Sequence, residues 1–90
     1  MKKADIISAI ETKIGSSNYK IWRIGLTHDP DERKTYWSDT EKQNVAYWTQ
    51  WPADSVSDAQ DIEAEFIRRG MKGGTGGDLL SHRLVYVYIF

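Results

Sequence analysis

The pattern of hydrophobic and polar positions predicts helices that alternate with strands. Isoleucines recur at helical spacing near the N-terminus and Gly15 follows them, which predicts an amphipathic helix over residues 3–14. Runs of β-branched and aromatic residues predict strands over residues 19–26 and 45–51. The second strand is expected to end at Pro52, because proline donates no hydrogen bond to a sheet.

Capping residues predict two further helices. Asp29 suits an N-cap and Pro30 suits the first helical position, so a helix is expected from there to about Ser38. Ser57 begins a sequence with the spacing of a capping box, and an apolar stripe follows it. Gly70 is placed to end that helix.

The C-terminal region combines a glycine-rich segment with a strongly apolar strand. Residues 73–77 are expected to form a flexible turn, with a phosphate-binding loop as the alternative. Residues 84–90 are continuously apolar and aromatic, which predicts a strand that is central or covered on both faces. Together these elements predict one α+β domain over residues 1–90, with a small three-stranded, largely antiparallel sheet flanked by helices.

Composition and charge narrow the class of protein. The chain has 90 residues, enough for one domain, and no cysteine, which excludes a disulfide framework and a thiolate metal site. No apolar run has membrane-spanning length and the N-terminus lacks a secretory pattern, so we expect a cytoplasmic protein without a membrane partner. The net charge is −1, so binding to nucleic acid requires a local basic patch.

One segment carries residues suited to phosphate chemistry. A predicted strand ends near Gly25, and the helix that Pro30 starts carries Arg33 in its first turns. Glycine allows another group to approach the backbone closely, and the planar guanidinium of arginine matches phosphate oxygens. This arrangement favours phosphate recognition where the strand meets the helix.

The same segment resembles the second half of the GIY-YIG nuclease signature. In that family a strand carrying Tyr-Ile-Gly precedes a helix with an essential arginine, and the separation of Gly25 from Arg33 has the family's spacing. Trp37 stands where members often carry histidine or tyrosine. A later helix is similar to the family helix with an essential glutamate, and the match puts that glutamate at Glu63.

The resemblance implies a phosphodiesterase site that depends on a divalent metal. Glu63 would bind one Mg²⁺ or Mn²⁺ ion and Arg33 would steady the phosphate, while tyrosines activate water or hold the site. Gly25, His28 and Trp37 would lie against the substrate. For His28, a local hydrogen-bonding role is the alternative.

Two departures from the family pattern affect the expected activity. Arg23 replaces the tyrosine of Tyr-Ile-Gly, and a protonated arginine is no general base. The Gly-Ile-Tyr strand that precedes Tyr-Ile-Gly in the family is also missing. The C-terminal strand would fill its place in a permuted sheet, and we expect it to pair with the strand of residues 19–26. Tyr86 or Tyr88 would then stand for the first signature tyrosine, and both lie on one face.

These observations leave two functions open. The first is a GIY-YIG-like domain that acts on DNA or RNA, as a metal-dependent endonuclease with weakened or lost activity. The second is a non-catalytic interaction module that binds protein or nucleic acid, which the near-zero net charge and Arg23 favour. The alternative to a site role for Arg33 and Glu63 is that both are surface ion-pair residues. Glu65 is the alternative to Glu63 as the site carboxylate.

Overall fold

A four-stranded sheet and three α-helices make up the part of the chain that the computed structural model describes, residues 1–74 and 79–90. The helices are α1 Lys3–Ile14, α2 Pro30–Thr35 and α3 Val56–Arg68. The strands are β1 Arg23–Thr27, β2 Thr49–Ala53, β3 Lys72–Gly73 and β4 Val85–Ile89. The sheet order is β2-β4-β1-β3, with β4 antiparallel to both neighbours and β3 parallel to β1. The α+β class is therefore as predicted.

The main core lies between one face of the sheet and helices α1 and α3. Its side chains come from one stripe of each helix and from alternate strand positions: Ile6, Ile10, Ile14, Ala59, Ile62, Phe66, Ile24, Leu26, Val85, Val87 and Ile89. Because strand side chains alternate, the other face receives Arg23, Gly25, Tyr86 and Tyr88. The candidate site is built on that second face.

Three predictions about element ends are confirmed. Helix α1 has the predicted bounds, and the Asp29 side chain caps α2 by accepting the Glu32 N–H at 3.1 Å. Gly70, with φ of 120°, follows α3, and the N–H groups of Gly70 and Met71 bond back to the carbonyls of Ile67 and Phe66. This is the 5→2 and 6→1 pattern of a Schellman motif, which satisfies the last helical carbonyls.

The pairing predicted for the C-terminal strand is confirmed as well. Strand β4 lies in the interior of the sheet and pairs antiparallel with β1, with Gly25 opposite Tyr88. The expectation of three strands is wrong, because β3 adds a fourth, parallel strand. The turn at Gly70 brings the Lys72 N–H to the Trp22 carbonyl at 3.0 Å, which starts the pairing. Of the expected glycine-rich turn, residues 75–77 lie outside the described part.

The strand predicted over residues 19–26 starts too early. Tyr19–Ile21 is a short 3₁₀ turn, because the Asn18 side chain accepts the Lys20 N–H and holds the backbone out of the sheet. The helix predicted to about Ser38 also changes form. Helix α2 ends at Thr35, and Tyr36–Thr40 follow as one π-helical turn that places Trp37 inside.

The boundaries around Pro52 differ from expectation for a nonlocal reason. Pro52 lies within β2, opposite Tyr86, whereas the sequence predicts that it ends a strand. Strand β2 is at the edge of the sheet, where a missing N–H is tolerated. The capping box predicted at Ser57 is also wrong, because Ser55 caps α3 by accepting the Asp58 N–H at 3.0 Å. Among the helices described, none is long and apolar enough to cross a membrane.

Candidate functional site

Tyr88 lies over the backbone of β1 at the position where that strand has no side chain. A Cβ atom added to Gly25 would stand 2.2 Å from the Tyr88 hydroxyl oxygen, and one added to Gly74 would stand 2.8 Å from it. Both distances are too short for any real side chain, so glycine is required at 25 for the phenol to occupy this place. Because Tyr88 pairs with Gly25, its side chain reaches across β1 and places the hydroxyl near Gly74, where β1 meets β3.

Aromatic side chains enclose Tyr88 on the face of the sheet opposite the main core. Trp37 donates from Nε1 to the Tyr88 hydroxyl at 2.9 Å, and Trp48 stacks on the Tyr88 ring at 4.4 Å between ring centres. Phe90 packs against both tryptophans, at 5.4 Å from each. Tyr88 is fully buried as a result. These four residues form an aromatic cluster that fixes the position of the hydroxyl.

Two half-buried arginines lie beside the aromatic cluster. The Arg23 guanidinium carbon is 4.5 Å from the Trp37 ring centre, and its Nη1 donates to the Gly73 carbonyl. The Arg33 guanidinium carbon is 5.0 Å from the ring centre of Tyr36, which packs edge-on against Trp37. Both contacts have the geometry of cation–π interactions. The aromatic rings thus hold two positive charges on one side of the domain.

The electrostatics of Tyr88 link the two arginines with Glu63. Burial raises the pKa of the Tyr88 phenol, because the charged phenolate is poorly solvated inside the protein. The Trp37 hydrogen bond and the positive charge of Arg33 act against that rise in pKa. The negative charge of Glu63 adds to it, and the charge of Arg23 opposes it. All three charged side chains therefore lie within electrostatic range of one buried hydroxyl.

Glu63 and Glu65 have opposite environments on α3. Glu65 pairs with Arg68 and Arg69, and these hydrogen bonds lower its pKa to about 2. Glu63 is half-buried, and burial raises its pKa. Among the described residues its carboxylate has neither an ion pair nor a hydrogen bond. Of the two carboxylates, Glu63 is therefore the one placed to accept a cation.

Three other residues, of which Tyr86 and His28 are candidates from the sequence, lie apart from the aromatic cluster or have other partners. Tyr86 is on the same face as Tyr88 but stands opposite Thr27 and Pro52. His28 accepts the Leu80 N–H at Nε2, so Nδ1 carries the proton and donates to the Leu84 carbonyl. Both ring nitrogens of His28 therefore have backbone partners in the segment before β4. Tyr19 stacks on Phe66 in the main core, on the other side of the sheet.

A metal ion fits this site only if water and substrate supply most of its ligands. No group of three or more His, Asp or Glu side chains suited to a metal occurs in residues 1–74 and 79–90. Mg²⁺ and Mn²⁺ take as few as one or two carboxylates when water and phosphate complete the coordination. Glu63 provides one such carboxylate, which has no cationic partner among the described residues. The residues present therefore fit a sparsely held divalent ion.

Sequence reasoning missed the contributions of Trp48, Phe90 and Gly74 to this site. Trp48 is two residues before Gln50, which pairs with Tyr88, so the two side chains share one face of the sheet. The correct strand pairing would therefore have placed Trp48 on the second face.

Comparison of the chain with protein-family models, with curated proteins and with solved structures finds no match in any of the three. We therefore base the proposed function on the site geometry and on the GIY-YIG resemblance.

Proposed function

We propose that the chain is a GIY-YIG-like domain that binds a phosphodiester of nucleic acid and cleaves it slowly with the help of a divalent metal ion. The observation that supports this proposal is the placement of Arg23 against Trp37 and of Arg33 against Tyr36, beside the buried hydroxyl of Tyr88, whose pKa also responds to the charge of Glu63. Two guanidinium groups recognise phosphate oxygens, and one carboxylate without a cationic partner among the described residues suits a metal.

Each residue has a distinct role in this proposal. Arg33 and Arg23 bind the phosphate, held in place by Tyr36 and Trp37 beneath them. Glu63 would hold Mg²⁺ or Mn²⁺, which would supply neutralisation of the charge that develops on the phosphate and activation of a water molecule. The half-buried position of Glu63 favours this role, because a cation relieves the cost of burying its charge.

The same geometry explains why cleavage is slow. Tyr88 is fully buried and its pKa is raised, so at neutral pH it keeps its proton and accepts none from water. Arg23 stands where active members carry a tyrosine, and arginine relays no proton. General acid–base help is typically worth about 10²–10⁴-fold in rate, so the site binds phosphodiesters better than it cleaves them.

The test is metal-dependent cleavage of labelled DNA and RNA. We expect slow cleavage that requires Mg²⁺ or Mn²⁺, disappears in Glu63→Gln and increases in Arg23→Tyr. Asp61→Asn is the matched control, because it removes an exposed carboxylate from the same helix. Fast cleavage that survives Glu63→Gln would show that the site is elsewhere. If the domain neither binds nor cleaves nucleic acid at low salt, a protein-interaction module replaces this function.

A further inference from the structure

A cleft of about 630 Å³ opens beside the site, where β1 begins and β4 ends. Its volume lies within the usual range of ligand pockets, roughly 300–1,000 Å³. It lies between the end of α1, the segment before β2 and strand β3. Neither the GIY-YIG resemblance nor the Tyr88 site accounts for a cleft at this place.

The charged side chains among the described residues that line the cleft are all positive. Lys13, Arg23 and Lys72 line it from three different elements, and none of the described residues that line it is Asp or Glu. Within the described residues none of these three cations forms an ion pair. The chain as a whole carries a net charge of −1, so this is the local basic patch that binding to nucleic acid requires.

Aromatic and amide side chains complete the lining. Tyr47 and Ile21 line the cleft although they are 68% and 70% exposed, and Trp22 and Phe90 add further apolar surface. Exposed aromatic rings of this kind are platforms on which unpaired bases stack. The amide side chains of Gln43 and Asn44 add hydrogen-bond donors and acceptors suited to base edges.

We propose that this cleft binds an unpaired nucleotide, so that the domain prefers single-stranded nucleic acid to a duplex. The base stacks on Tyr47, and the flanking phosphates lie against Lys13 and Lys72. A duplex keeps its bases stacked inside and offers no free base face to such a platform. This proposal rests on the proposed function, which supplies nucleic acid as the ligand.

Arg23 connects the cleft with the phosphodiester site. Its guanidinium contacts Trp37, beside Tyr88, and its side chain also lines the cleft. Its backbone is fixed by two hydrogen bonds to Phe90, with N–O distances of 2.7 and 3.1 Å. We therefore expect a nucleic-acid strand that leaves the cleft at Arg23 to pass beside Trp37 of the aromatic cluster.

The test is fluorescence anisotropy with a labelled single strand of about ten nucleotides, within the usual site sizes for such binding, and with the matching duplex. We expect single strands, DNA or RNA, to bind at least about tenfold more tightly than the duplex at low salt. Tyr47→Ala should weaken binding by about 5- to 150-fold, the contribution of one stacked base. Leu84→Ala removes an exposed apolar side chain outside the cleft and should leave the affinity unchanged.

Salt dependence tests the phosphate contacts separately. Lys13→Gln and Lys72→Gln should each reduce the slope of log affinity against log salt by about 0.7, the value for one phosphate contact on a single strand. Lys2→Gln removes an exposed lysine outside the cleft and should leave the slope unchanged. Thermal unfolding of each variant shows whether the fold is intact.

The outcomes separate this inference from the proposed function. Binding that depends on Arg33 but is unchanged by Tyr47→Ala and Lys13→Gln overturns the cleft and leaves the proposed function standing. Binding that depends on Tyr47 and Lys13 but not on Arg33 or Glu63 supports the cleft and overturns the proposed site. Equal affinity for duplex and single strand also overturns the cleft, and absence of binding to any nucleic acid overturns both proposals.

Discussion

Replacing Gly25 by alanine tests the position of Tyr88 more sharply than any change to the tyrosine itself. The added methyl group would stand 2.2 Å from the hydroxyl oxygen and 2.4 Å from the ring carbon that bears it. Ordinary contacts are about 3.5–4.0 Å, so the ring must move by more than about 1 Å. Tyr88 has little freedom to move, because Trp48 stacks on it and Trp37 bonds to its hydroxyl.

The expected loss of stability follows from these contacts. Forcing an additional methyl group into a packed interior costs about 1–3 kcal/mol. Moving the ring also breaks the Trp37 hydrogen bond, which is worth about 0.5–1.5 kcal/mol. We therefore expect Gly25→Ala to lower the free energy of unfolding by about 2–4 kcal/mol. For a domain of this size that corresponds to a fall in Tm of about 10–30 °C.

The assay is urea and thermal unfolding of Gly25→Ala beside Gly73→Ala. Among the described residues a Cβ added at Gly73 would meet only the Ile67 terminal carbon, at 3.4 Å, so this control should change stability by less than about 1 kcal/mol. In a Tyr88→Leu background the shorter side chain no longer covers position 25, and the cost of Gly25→Ala should largely disappear. If Gly25→Ala is as stable as the wild type, Tyr88 does not lie where we describe it.

Three further changes test other parts of the structure. Because burial raises the pKa of Glu63, its charge destabilises the fold once pH rises through that pKa, so Glu63→Gln should stabilise the protein against urea at neutral pH but not near about pH 4. The raised pKa of Tyr88 predicts that stability falls as pH rises above about 10, where the unfolded phenol ionises, and that this fall is smaller in Tyr88→Phe. Ser55→Ala should cost about 1 kcal/mol in thermal unfolding as the loss of the α3 cap, whereas Ser57→Ala should be nearly neutral.

Features governed by neighbouring residues could be predicted from the sequence. The spacing of isoleucines predicts α1, and the Asp29-Pro30 pair predicts the start of α2, because capping and helical periodicity act within a few residues. The continuous apolar pattern of the C-terminal strand predicts its central position in the sheet, because a strand that is apolar on both faces must be covered on both.

Features that depend on distant pairing could not be predicted in the same way. The missing N–H of Pro52 predicts the end of a strand. Pro52 lies inside β2 because that strand is at the edge of the sheet, where a missing N–H is tolerated. Strand β3 has two residues and no periodicity to reveal it. The stacking of Trp48 on Tyr88 depends on the register between β2 and β4, and the contact of Arg23 with Gly73 depends on β3. The sequence motif therefore predicts the candidate residues but not the neighbouring side chains and backbone that they contact.

The effect of Mn²⁺ on nucleic-acid affinity tests most directly whether Glu63 and Arg33 act on one phosphate. In anisotropy titrations at constant ionic strength, Mn²⁺ should tighten binding to the wild type by about 5- to 150-fold, the usual range for coupling between two ligands. Asp61→Asn should keep this gain, whereas Glu63→Gln and Arg33→Gln should lose it. A Glu63→Gln protein that is folded and still shows the full gain with Mn²⁺ would contradict the proposed site.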